Sequence, residues 1–131
     1  MDEVISGKVA TIESCLVWIK KQNQSAEWKE DQLVKRELLL NLEKACQASI
    51  DCSAKIIEQR SFTVPKLPRE SFSMLESIGV VSGDTVNSLK KMLAMRGLIS
   101  HDENIKSTML ESIIINEISC LEDFCKSVKR I

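Results

Sequence analysis

Toward both ends of this chain, apolar residues recur at intervals of four and three. Ile5, Val9, Ile12, Leu16 and Ile19 form one series, and Leu110, Ile114, Ile118, Leu121, Cys125 and Val128 form the other. Such a stripe follows the turn of an α-helix and cannot be laid on a strand, whose side chains alternate with period two. A narrow seam at this spacing is buried only against another helix. A wider version runs from about Asp31 to Gln59. There Leu38, Leu42, Ala45, Ser49, Cys52 and Ile56 share one face, with Leu39, Cys46, Ile50 and Ile57 beside it. That breadth predicts a central helix covered on more than one side. Four glycines and two prolines in 131 residues are too few for the many turns of an all-β fold. The expectation is a single all-α domain over residues 1–131, an up-and-down helical bundle of four main helices plus one short helix.

The punctuation agrees with that plan. The first helix covers about residues 2 to 21, and Asn23 to Glu27 breaks it. Pro65 and Pro68 bias the residues before them away from helix, and Pro68 suits the first position of the next one. Phe72, Leu75 and Ile78 line that short helix, and Gly79 stands where a left-handed C-terminal cap is expected. Ser82 is a good N-cap for the fourth helix, with Asp84 in its first turn. Val86, Leu89, Met92 and Leu93 give this helix its apolar face, and Gly97 weakens its end. Ser107 is expected to cap the last helix.

Charge and cysteine content narrow the function. Eighteen basic residues against nineteen acidic ones leave a net charge of −1, so any nucleic-acid binding must be local. Met1 to Lys8 is polar and acidic, unlike a signal peptide, and no apolar run approaches the roughly 18 residues of a membrane span. Cys15, Cys46, Cys52, Cys120 and Cys125 are odd in number and lack C-x-x-C spacing. With one histidine in the chain, they read as reduced core thiols rather than a metal set. The expectation is a cytoplasmic protein with no membrane contact, metal or cofactor.

One stretch has an inventory for chemistry. Arg96 is followed by the only histidine, His101, and then by Asp102 and Glu103. RNA cleavage without a metal needs a base for the 2′-hydroxyl, an acid for the leaving oxygen and a cation on the phosphate. Glu, His and Arg can fill those roles, and a positioned proton donor or acceptor contributes typically ~10²–10⁴-fold. Residues five apart on one helix point about 140° away from each other. Arg96 and His101 therefore converge only if the helix breaks near Gly97 or if two subunits face each other. An arginine near a helix C-terminus is also favourable against the helix dipole with no function at all. Lys90, Lys91 and Lys106 flank the stretch and can steer phosphates, although such charges usually mark a solvated face. Asp51 on the long helix suits a cap or an interhelix hydrogen bond, and Trp18 and Trp28 suit packing or dimer contacts.

Three segments, Asn41 to Cys52, Val64-Pro65 with Arg69 to Phe72, and above all Leu89 to Asp102, carry a resemblance. The chain resembles, over nearly its whole length, the HepT-like ribonuclease toxin family, whose members pair with minimal nucleotidyltransferase antitoxins. The family signature is Arg, four residues, His, one residue, Tyr. Arg96 and His101 match it, while Glu103 occupies the tyrosine position and Gly97 replaces a common asparagine. The resemblance implies a helical homodimer in which two copies of the motif line a cleft and cleave RNA without a metal. It also implies a nucleotidyltransferase antitoxin that blocks family members by transferring AMP to the motif tyrosine. Two readings follow for this chain. It is a ribonuclease using Arg96, His101 and Glu103, or it is a degenerate member that acts as a helical interaction protein for its partner.

Overall fold

Aspartates set the starts of the two N-terminal long helices. The Asp2 carboxylate accepts from the backbone amides of Val4 and Ile5, at 2.8 and 3.2 Å, and opens α1 (Glu3–Gln22). Asp31 does the same for Leu33 and Val34, at 3.0 and 3.2 Å, and opens α2 (Gln32–Gln59). A cap of this kind contributes about 1 kcal/mol. The computed structural model describes residues 1–99 and 107–131. After α2 come the short α3 (Pro68–Ser77), then α4 (Gly83–Ile99) and α5 (Ser107–Lys129), with a 3₁₀ turn at Glu27–Glu30 before α2. The described residues contain no strand. The expected all-α bundle of four long helices and one short one is what forms.

The two seams are buried throughout, from Ile5 to Ile19 on α1 and from Leu110 to Val128 on α5. The wide face of α2 is explained by its neighbours, since it touches each of the other four helices. Ser49 and Ser53 sit within that face because their hydroxyls donate to the backbone oxygens of Cys46 and Ser49, at 2.6 and 2.8 Å. Phe72 of α3 meets Phe124 of α5 edge-on, with ring centroids 6.4 Å apart. All five cysteines are buried, and none is in a disulfide. Trp28 is buried and donates from its ring nitrogen to Asn23 at 3.2 Å, while Trp18 lies half-buried against the core. No helix among the described residues is long and apolar enough to cross a membrane.

The helix ends mostly follow the expected chemistry. α3 begins at Pro68, and Gly79 takes φ +78° while the Val80 amide reaches back to Leu75 at 2.9 Å. Ser82 accepts from the Thr85 amide at 3.3 Å and starts α4. Two ends differ. Ser107 is the first residue of α5, and its hydroxyl donates to the Lys29 carbonyl at 3.0 Å, which ties α5 to the 3₁₀ turn. α4 continues through Gly97 to Ile99, so the helix does not break at that glycine. An interior glycine costs only about 1 kcal/mol relative to alanine. The burial of Val86, Leu89 and Met92 is ample to hold the helix together.

Candidate functional site

Burial along α4 is uneven, and that unevenness makes the site. Val86, Leu89 and Met92 anchor its first half in the core, whereas Ala94 and Gly97 are exposed and Arg96 is half-buried. α4 thus delivers Arg96 from a fixed base to an open surface. One guanidinium nitrogen donates to Gln47 Oε1 at 3.2 Å and the other to Cys46 Sγ at 3.6 Å. Burial pushes the Cys46 thiol up, and the adjacent guanidinium only partly opposes that. The sulfur is therefore a neutral acceptor near neutral pH rather than a thiolate.

Gln47 is itself held from behind. Its amide donates to Asp51 Oδ1 at 2.9 Å, and Asp51 Oδ2 lies 3.4 Å from Lys8 Nζ on α1. A polar chain thus runs Lys8–Asp51–Gln47–Arg96 across three helices. Asp51 makes the interhelix bond expected of it, although its side chain is 42% exposed rather than buried.

In front of Arg96 lies a groove of about 800 Å³ between α2, the start of α3 and α4. Arg69, Lys90, Lys91 and Arg96 line it, and no carboxylate does so among the described residues. Its apolar wall comes from Ile50, Leu67, Pro68, Leu93 and Ala94. Four cations around one concavity make a surface suited to anions.

Of the residues singled out from sequence, Arg96, Lys90 and Lys91 are brought together here. His101, Asp102, Glu103 and Lys106 lie outside the described residues. Arg69 stood in a family-like segment without an assigned role, and the partners of Arg96 on α2 were not foreseen. The one sequence signal for them is the i,i+4 pair of Gln47 and Asp51 on the polar side of a buried helix. Among the described residues no cluster of His, Cys, Asp and Glu could hold a metal ion.

The described residues thus form an all-α bundle that holds an arginine beside a groove of cations, a surface suited to anions. Residues 8–128 match the model of the ribonuclease HepT-like family, and the chain belongs to that family. It is 26% identical over 131 residues to the mRNA nuclease HepT of Shewanella oneidensis, covering 98% of each protein. The fold matches an AMPylated Shewanella oneidensis HEPN toxin solved in complex with its MNT antitoxin, at a TM-score of 0.89 and 26% identity over 100% of both chains. It also matches a mutant MntA–HpeT toxin–antitoxin structure, at a TM-score of 0.91 and 25% identity over 99% of this chain and 100% of that one.

Proposed function

We propose that this protein is the toxin of a bacterial toxin–antitoxin pair, a homodimeric, metal-independent endoribonuclease of the cytoplasm. Its neutralising partner is a nucleotidyltransferase antitoxin. The observation that carries this reading is the HepT-like match over residues 8–128 together with Arg96 held at the end of a cationic groove. Arg96 holds the scissile phosphate and stabilises the charge that develops on it. Glu103 takes the proton of the 2′-hydroxyl as its oxygen attacks phosphorus, and His101 returns a proton to the departing 5′-oxygen. The products are a 2′,3′-cyclic phosphate and a 5′-hydroxyl. The two copies of the motif complete the site across the dimer, which removes the problem of their spacing along one helix.

Glu103 favours a second reading, that of a catalytically silent interaction protein for the same partner. An ionised carboxylate beside a phosphate repels it. The chain has no tyrosine at any position, so transfer of AMP to a tyrosine is closed to it. Induction in a bacterial host, with growth and RNA integrity as readouts, separates the two. The ribonuclease reading expects growth arrest and cleavage by the wild type, both lost in Arg96→Ala and His101→Ala. The silent reading expects an inert wild type and a toxic Glu103→Tyr variant. Cleavage that persists in His101→Ala sinks the assignment of His101.

A further inference from the structure

We propose that the groove between α2, α3 and α4 is a track for single-stranded RNA, gripped through its phosphates by Arg69, Lys90 and Lys91 and leading to Arg96. This deepens the ribonuclease reading of the same site and rests on it for the identity of the polyanion. The net charge of −1 shows that the chain has no general basicity, so the gathering of cations here is local. Lys8, Lys20, Lys29, Lys55 and Lys129 all stand in ion pairs with Asp or Glu. Arg69, Lys90 and Lys91 make no such pair among the described residues; Lys126 is equally unpaired, but the concavity it lines also holds Glu13 and Glu122, whereas no described carboxylate lines this groove. Unpaired cations along a concavity favour a ligand of regularly spaced negative charge.

The walls narrow the ligand further. Leu67 is 53% exposed at the mouth, and Leu93 continues the apolar surface beside the lysines. Unstacked bases present faces that such a wall can cover, whereas a duplex presents mainly sugar and phosphate. In-line attack by a 2′-hydroxyl also requires a strand free to leave A-form geometry. Among the described residues Gln47 is the one neutral polar side chain on the lining, and Arg96 already occupies its oxygen. Among the described residues few groups are therefore available to read base edges, so this part of the track holds RNA with little preference for sequence.

The test uses the full chain carrying His101→Ala, to keep the probe intact, and a fluorescent single-stranded RNA oligonucleotide titrated between 50 and 200 mM salt. Each phosphate contact on a single strand contributes roughly 0.7 to the slope of log affinity against log salt. Adding Arg69→Ala, Lys90→Ala and Lys91→Ala should lower that slope by about 2 and weaken binding about 10²-fold at 0.1 M salt. The charge-retaining set Arg69→Lys, Lys90→Arg and Lys91→Arg should keep both. So should a control losing Lys21, Lys126 and Arg130 from the α1 and α5 side. An unchanged slope in the alanine set overturns the track, as does a set that loses a purified antitoxin while binding RNA normally. If the wild type cuts no RNA but the slope falls as stated, the track stands and the cleavage reading fails.

Discussion

The two sides of this bundle place their cations differently. On the side of α1 and α5, Lys20 pairs with Glu122 and Lys129 with Glu13, so the charges tie the two helices together across the seam. On the side of α3 and α4, the cations face an open groove that no carboxylate lines among the described residues. A nearly neutral chain thus holds one side where lysines bridge two helices and another where cations gather around a groove, which a summed charge cannot show. The ion pairs of the first side bear on stability, and the groove of the second is the side proposed to meet an anion. Substitutions on each side should move different observables.

The largest separation is between the core and the motif. Phe72 is fully buried against Phe124, so Phe72→Ala should cost about 3–5 kcal/mol in urea unfolding. Its effect on RNA cleavage at temperatures where the variant is folded should be minor. His101→Ala and Arg96→Ala should do the reverse, lowering the cleavage rate by about 10²–10⁴-fold with little change in the urea midpoint. If Arg96→Ala unfolds the protein instead, its guanidinium is mainly a structural link to α2, and the comparison breaks there.

Alkaline pH should test the buried thiols, and above all the pair between α2 and α5. Burial pushes the thiols of Cys52 and Cys125 from an ordinary value near 9 up to about 12. Between these values the unfolded chain loses thiol protons that the native protein keeps. Stability is therefore complete below about pH 9 and falls as pH rises toward 12. Urea midpoints at pH 7, 9 and 10.5 should trace that fall, and replacing both cysteines with alanine should make it shallower, with Cys15 and Cys46 contributing the remainder. Were the double variant to fall just as steeply, other groups would govern the alkaline limit.

The same contrast explains what could be read from the sequence. Helix positions, the Asp31 boundary, Gly79 and Ser82 were legible because periodicity and capping are local properties of the chain. Arg96 was legible as a residue but not as a geometry. Its contacts with Cys46 and Gln47 lie about fifty positions away and depend on how α4 crosses α2. Arg69 faces Lys90 and Lys91 only because α3 folds back beside α4. Gly97 pointed to a helix break because glycine is a poor helix former. The helix runs past it because anchoring by the core outweighs a propensity of about 1 kcal/mol.

That glycine offers a smaller test on the groove side. A Cβ added at Gly97 would meet nothing within 4 Å. Gly97→Ala should therefore stabilise the protein by roughly 0.5–1 kcal/mol, read as a higher urea midpoint. If cleavage falls as stability rises, then the end of α4 must bend while RNA is bound. If both hold or improve, the helix serves as a rigid arm for Arg96.

The smallest expected effects concern the polar chain that joins the two sides. Lys8 and Asp51 are each about two-fifths exposed, so breaking their pair with Lys8→Ala should cost only about 0–1 kcal/mol, less at high salt. Gln47 stands closer to the chemistry. Gln47→Ala removes the acceptor that orients Arg96 and leaves the guanidinium with more freedom. A several-fold loss of cleavage with an unchanged salt slope for RNA binding is expected, since the phosphate cations are untouched. Lys8→Ala should produce a weaker version of the same loss by loosening Asp51 and, through it, Gln47. A double-mutant cycle between the two positions measures whether that influence passes along the chain. Strict additivity would mean that the closed side supports the groove only by holding the fold together.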